Sequence, residues 1–422
     1  MLSVNDTQTI IFNLVQPLAS QRDQEVVDLF AATGRILAAP VVSQRDFPHW
    51  DNSAMDGYAV RYEDVQHCNV ESPTILEIVT EIPAGYQPQC AVQSGQAARI
   101  FTGAVMPQGA DTVVMQENTH TEGNRVFILT APKPQAFVRH KGSFSQTGAQ
   151  LLPAGIVLNA PEIAILAAAS CACVSVYRRP RVAIFSTGDE LVTPEQPLQP
   201  GQIVDSNQYA LAALVRQSGG EPLILGIVKD DPIILAATIS QALSNADMVI
   251  SSGGVSVGDY DYIDKILESL GATIHGRAVA MRPGKPLTVA SFVNHGDNLS
   301  PQPQKLYLGL PGNPVAVLVT FWRFVQPAIK KLAGMSDGWE VKFLQVRSHD
   351  ELRSDGNRET YICGKLQIIA GVYHFYKAGG THSSGNLINL AETNALAILP
   401  VGTTLISANT EVEVLLISNN EG

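Results

Sequence analysis

The chain is 422 residues long, more than one hydrophobic core ordinarily serves, so roughly two to four domains are expected. Its composition, 45% hydrophobic and 16% charged, is that of a soluble globular protein. A net charge of −11 without a lysine or arginine run excludes non-specific nucleic-acid binding, and 6% aromatic residues argue against a stacking platform for single strands.

Residues 6 to 37 carry helical periodicity, with Ile10, Ile11, Leu14 and Val15 followed by Val26, Val27, Leu29 and Phe30 up to Gly34. From about 70 to 130 the texture changes to short β-type runs with turn residues: Ile75 to Val79, Ala97 to Phe101, Thr112 to Gln116 and Val126 to Leu129. This section reads as a small, mostly β insert. The longest apolar run, Ile163 to Val176, is shorter than a membrane span, and no basic-then-apolar leader is visible at the N-terminus. Within that run Cys171-Ala-Cys173 is expected in the core. The five cysteines form no C-x-x-C pair, which argues against a disulfide framework or a zinc ribbon. A reduced, cytoplasmic setting without membrane or nucleic-acid partners is the expectation.

Between 181 and 330 strands and helices alternate. Val182 to Phe185, Leu223 to Val228, Met248 to Ile250 and Leu306 to Leu310 read as strands, with two more near Ala272 to Ala280 and Pro286 to Ala290. Helices are expected at Gln208 to Gln217, Pro232 to Leu243, Tyr262 to Leu270 and Pro314 to Leu332. This rhythm predicts an α/β fold built on a doubly wound, mostly parallel sheet, which binds ligands beyond the carboxyl ends of its strands. Residues 340 to 417 return to β-type runs and predict a compact all-β domain or half-barrel, with Gly334 to Gly338 as the boundary.

Each polar motif of the α/β segment follows a strand end: Ser186-Thr-Gly-Asp-Glu190, Lys229-Asp230-Asp231-Pro232, Ser251 to Asp261, and Pro311-Gly312-Asn313-Pro314. The third is the most informative. Its Ser/Gly loop, with Ser251, Gly253, Gly254, Ser256 and Gly258, lets backbone amides approach an anion, and the helix start after it adds unpaired amide donors. Carboxylates beside such a nest, Asp259 and Asp261, make sense if a divalent cation sits between them and phosphate oxygens. Any one motif also reads as a helix cap or a rigid turn; four on one edge of a parallel sheet point to a site. Asp51-Asn-Ser-Ala-Met-Asp56-Gly-Tyr and Phe101-Thr102-Gly103 are turns a ligand could reach, or ordinary Asx and Ser/Thr turns. Positive charge for an anionic substrate is concentrated at Arg139-His-Lys141 and Arg282-Pro-Gly-Lys285. Nucleophile elbows, H-E-x-x-H, G-x-G-x-x-G and the P-loop motif do not occur.

Taken in order, these motifs resemble the molybdopterin molybdenumtransferase family (MoeA and the E domain of gephyrin) over essentially the whole chain. The resemblance implies that adenylylated molybdopterin and molybdate are the substrates, with Mg²⁺ required, and that AMP and the molybdenum cofactor are the products. It implies an elongated homodimer supplied by an upstream molybdopterin adenylyltransferase, with a site shared between the α/β domain of one subunit and the insert of the other. Its four domains fall at 1–45 with 141–180 (a discontinuous helical or extended linker), 46–140 (the β-rich insert), 181–332 (a molybdopterin-binding α/β domain) and 333–422 (a β-barrel-like domain). Carried over by position, Asp56, Thr102 and Arg139 are the insert-side residues. Glu190, Asp230, Asp261, Arg282, Lys285, Pro311 and Pro314 belong to the α/β domain, and Ser384 to the last domain. Glu190, Asp230 and Asp261 are then the metal ligands, and Arg282 and Lys285 hold the oxyanion. Departures from the family are Ser143-Phe144 in place of Glu-Asp, Arg282 in place of a lysine, and Ala316 where a serine often stands. Arg358 stands near an expected arginine. Two other readings share the α/β site: adenylylation of molybdopterin, and a non-catalytic molybdopterin-binding scaffold.

Overall fold

A computed structural model describes residues 1–253, 260–293, 304–379 and 386–417. The chain forms two compact units, residues 1–39 with 154–163 and 173–422, and residues 40–153 with 164–172.

At the centre of the first unit lies a six-stranded sheet in the order Glu221–Val228, Arg181–Thr187, Met248–Gly253, Lys305–Leu310, Pro286–Phe292, Ala272–Ala278. The first four strands are parallel, and the last two pairings are antiparallel, with Pro286–Phe292 the reversed strand. Side chains alternate across such a sheet, so each strand feeds two cores. Val182, Ile184, Ile250 and Leu308 pack with the helices Val4–Leu14, Asn207–Gln217 and Pro314–Thr320. Ala183, Phe185, Val249 and Tyr307 pack on the other face with Pro232–Asn245 and Tyr260–Ser269. Both faces are covered, which is the doubly wound arrangement. Asp231 caps Pro232–Asn245, its carboxylate accepting the Ile233 and Ile234 amides with proline in the first turn.

In the last domain five strands close on themselves. Glu359–Ile369, Val372–Lys377, Phe343–Ser348, Glu411–Leu416 and Ala395–Leu399 follow one another, and Ala395–Leu399 pairs back onto Glu359–Ile369. Phe375, Leu399 and Val414 fill the ring. One more strand joins this sheet from outside: Met281–Arg282 runs parallel to Glu359–Thr360. The basic Arg282 segment is therefore bonded to the barrel, although sequence places it inside the α/β segment.

The N-terminal region corrects one expectation. Only Val4–Leu14 is helical in the stretch read as helix from 6 to 37. Gln24–Asp28 is instead a strand, antiparallel to Cys173–Tyr177. Pro17 cannot continue a helix, and Asp23 binds both the Ala19 amide and Arg178, which turns the chain toward its partner strand. Val26 and Phe30 are four residues apart, yet they face solvent, 72% and 97% exposed. Cys173 is likewise exposed and Cys171 half-buried, against the expected burial. The partner strand alternates, so Val174 and Val176 turn inward and Cys173 outward.

In the second unit the β insert is a six-stranded sheet in the order Thr112–Met115, Gly57–Val60, Gln96–Ile100, Thr74–Ile82, Arg125–Ile128, Thr119–Glu122. Gly57 is required there, because a Cβ would lie 1.9 Å from the Val114 carbonyl oxygen. No helix among the described residues is long and apolar enough to cross a membrane.

Candidate functional site

The carboxyl ends of the parallel strands open into a cavity of about 1230 Å³ within the first unit. Thr187, Gly188 and Glu190 reach it from the end of Arg181–Thr187, and Asp230 from the end of Glu221–Val228. Ser252 and Gly253 line it from Met248–Gly253, and Pro311, Gly312, Asn313 and Pro314 from the end of Lys305–Leu310. Opposite chemistry arrives on the remaining wall, with Arg282 and Lys285 joined by Arg353, Arg358 and Lys377.

Local bonds fix the acidic part. The Thr187 hydroxyl donates to Asp230 across neighbouring strands. Glu190 folds back over Gly188, where a Cβ would stand 2.8 Å from both carboxylate oxygens. At Gly253, with φ +90°, a Cβ would lie 2.1 Å from the Thr187 carbonyl oxygen, so the close approach of two strand ends demands glycine. Asn207 ties the loops together. Its amide nitrogen donates to Ser252 Oγ at 3.1 Å and to the Gly312 carbonyl at 2.8 Å.

Electrostatics distinguish the walls. Arg282 Nη1 donates to Asp355 Oδ2 at 2.6 Å, and Arg353 Nε to Glu351 Oε1 at 2.6 Å. The Asn357 amide and the nearby Arg282 and Arg358 hold the Asp355 carboxyl below its ordinary range. Arg358 Nη1 donates to the Met281 carbonyl at 3.3 Å, on the strand that carries Arg282. Burial pushes the Cys363 thiol up to about 12, so it stays protonated and is a poor nucleophile. Tyr361 is also raised by burial, and its hydroxyl joins Glu359 to Arg323.

Glu190, Asp230, Gly253, Arg282, Lys285, Pro311, Gly312, Asn313 and Pro314 thus share one cavity. Ser251 does not line it. Strand alternation turns its hydroxyl to the buried Tyr307, 2.7 Å away, while Ser252 takes the cavity side. Gly254, Ser256, Gly258, Asp259 and Ser384 lie outside the described residues. Asp261 falls in the helix Tyr260–Ser269, with its side chain outside the described residues. Ala316 sits in the cavity wall and supplies no hydroxyl there. Among the described residues no three His, Cys, Asp or Glu side chains form a cluster able to hold a metal.

The second unit carries its own arrangement. Asp56 Oδ1 accepts both the Thr102 amide and the Thr102 hydroxyl, each at 2.7 Å. These two bonds hold the Asp56 carboxyl below its ordinary range, with Arg99 assisting. Arg99 lies over the Tyr58 and Phe101 rings and donates to Gln116. Arg139 lies on the short strand Val138–Arg139, paired with Asn52–Ser53.

Sequence reasoning passed over Asp205, Asn207, Arg353 and Asp355. Asp205-Ser-Asn207 precedes a helix and reads as its cap, and Asp205 Oδ1 does accept the Asn207 and Gln208 amides. Only the fold shows that both residues also border the cavity. Arg353 and Asp355 fall between the β-type runs of the last domain and belong to none of the motifs.

The chain has well-matched counterparts among known proteins. The MoeA N-terminal region (domain I and II) matches residues 2–170, a probable molybdopterin binding domain matches 183–331, and the MoeA C-terminal region (domain IV) matches 345–417. A molybdopterin molybdenumtransferase of Nostoc sp. is 70% identical, covering 98% of this chain and 94% of its own. Its counterpart in Haemophilus influenzae is 38% identical over 87% of this chain and 85% of its own. The crystal structure of a molybdopterin biosynthesis MoeA protein from Pyrococcus horikosii superposes with a TM-score of 0.81 at 28% identity, covering 99% of this chain and 100% of that one. The chain belongs to the MoeA family, and it is a transferase that inserts molybdenum in molybdenum cofactor biosynthesis.

Proposed function

We propose that the cavity binds adenylylated molybdopterin together with molybdate, and that AMP leaves as the metal is inserted. One observation carries this reading: Glu190 and Asp230 wall the same cavity as Arg282 and Lys285. A phosphoanhydride and a tetrahedral oxyanion are both densely charged, and each needs neutralisation and positioning more than covalent help. The cavity also exceeds the roughly 300–1,000 Å³ of common small-molecule pockets, in keeping with a pterin joined to a nucleotide.

Glu190 and Asp230 are hard oxygen donors of the kind Mg²⁺ takes, and the glycine at 188 leaves the Glu190 carboxylate the space a side chain would fill. They and Asp261 would hold the cation, which when bound supplies charge neutralisation at the anhydride. The chain's own residues do the rest. Gly253 and Gly312 let backbone approach the phosphates, and Pro311 to Pro314 hold one rim of the cavity stiff. Asn207 keeps the Ser252 and Gly312 loops at a fixed spacing. Arg282 and Lys285, with Arg358 behind them, orient the oxyanion.

The working form is a homodimer in which Asp56, Thr102 and Arg139 act at the partner's cavity. Support comes from Val26 and Phe30, large apolar side chains left bare on the first unit, which a second subunit would cover. All five cysteines are free, in keeping with a reducing cytoplasm. An upstream adenylyltransferase supplies the activated pterin. The test is incubation of the purified protein with adenylyl-molybdopterin, Mg²⁺ and molybdate. AMP release that depends on molybdate and stops with chelator is expected; release indifferent to molybdate would refute the reading.

A further inference from the structure

The guanidinium assigned to the oxyanion does not stand free. Arg282 is engaged by Asp355, and Asp355 Oδ1 in turn accepts the Asn357 amide at 3.0 Å. Both side chains line the cavity, and the pairing of Arg282 with Thr360 holds the Arg282 backbone against the barrel. Lys285 lines the same wall, and among the described residues no carboxylate is within ion-pair reach of it. Among the described residues, then, one of the two cations carries a protein counter-ion and the other does not.

We propose that Asp355 is a positioning residue for the oxyanion substrate: an internal counter-ion that occupies Arg282 until a dianion displaces it. The proposal rests on the assignment of Arg282 to the oxyanion made above. With side chains 52% and 34% exposed, the pair is of the weak, exchangeable kind. A tetrahedral dianion brings two charges and four acceptor oxygens, enough to engage the guanidinium in bidentate fashion and reach Lys285 as well. Chloride brings one charge and no directional acceptor. Displacing Asp355 therefore costs the dianion a small part of its attraction and a monoanion most of it. The carboxylate thus acts as a filter that keeps abundant monoanions off Arg282. Asp355 remains anchored to the Asn357 amide during the exchange, ready to return when the oxyanion is consumed.

The experiment is the molybdate dependence of AMP release by the full chain, with glutamate replaced by chloride at constant ionic strength. Wild type is compared with Asp355→Asn, Asp355→Ser, Asp355→Glu and Arg282→Gln. Removing the counter-ion, by either Asn or Ser, lowers KM for molybdate roughly three-fold, with a smaller change in kcat, and makes the reaction sensitive to chloride. Asp355→Glu restores wild-type behaviour. An unchanged or raised KM in both the Asn and Ser variants, with chloride still inert, overturns the counter-ion role. Arg282→Gln separates that failure from the deeper one. If it raises KM at least about ten-fold, the oxyanion assignment stands on its own; if it leaves KM untouched, the assignment falls and the proposal with it.

Discussion

In the α/β cavity Asp230 takes a hydrogen bond from Thr187 on the neighbouring strand, and in the β insert Asp56 takes two from Thr102. The device is the same, a threonine holding a carboxylate in place. What differs is the company it keeps. Parallel strand ends bring Glu190, Gly253 and Pro311 to the first carboxylate, and the barrel with its attached Arg282 segment adds a wall of cations. The second stands in the bend before Gly57–Val60, with Arg99 nearby and its backbone carbonyl accepting the Gln116 amide. Local bonding can preorganise one group anywhere, whereas assembling a constellation requires a topology whose loops converge.

The sharpest way to break this comparison is to disable each carboxylate separately. Glu190→Gln and Asp56→Asn are each expected to lower molybdate-dependent AMP release by at least about 100-fold. Mixing the two variants under exchanging conditions should then restore about a quarter of wild-type activity, because a heterodimer keeps one site built from two intact halves. No recovery, with exchange shown by mass, would place Asp56 in its own subunit's site.

Glycines test how tightly each region is built. Gly253→Ala drives a methyl into the Thr187 carbonyl at φ +90° and is expected to destabilise the first unit by about 3 kcal/mol. Gly103→Ala, at φ +83° with no atom within 4 Å, meets backbone strain alone and should cost about 1 kcal/mol. Calorimetric unfolding of both variants reads the contrast. Equal losses would mean that the strand-end contact is not what demands glycine at 253.

Asp247→Ala is smaller still in its reach. Arg178 is held by Asp247 at 2.7 and 2.9 Å and by Asp23, in a partly buried cluster that raises its pKa. Removing one partner should cost about 2 kcal/mol of stability and leave the insert's own unfolding unchanged. The least effect is expected at Thr102. Thr102→Val deletes a bond that lowers the Asp56 pKa, so NMR titration should show that value rising toward 3.8. Because the folded pKa lies below the unfolded one, whatever stability the bond gives is present above pH 3.8 and fades as pH falls through the depressed value.

Much of this was legible in the chain because the α/β segment obeys its local preferences. The expected helix at Gln208 to Gln217 is Asn207–Gln217, and that at Pro232 to Leu243 is Pro232–Asn245. Caps and strand lengths there depend on neighbours in sequence. The error at 15 to 37 has the opposite origin. Val26 and Phe30 mimic a helical stripe, but Gln24–Asp28 is drawn into a sheet by a strand some 150 residues away, Cys173–Tyr177. Cavity residues divide the same way. Glycine- and proline-marked loops announced themselves, while Asp355 carries no local sign and matters only because Met281–Arg282 is bonded to its domain.

That pairing has a mechanical corollary. Arg282 is paired with the barrel strand Glu359–Ile369, while the Val279 amide donates to the Lys285 carbonyl beside the sheet strand Pro286–Phe292, so the basic turn is fastened to barrel and sheet at once. Met281 and the barrel's Tyr361 share one core with Ile250 and Leu308, so a change beneath the sheet is felt at the guanidinium without any contact to it.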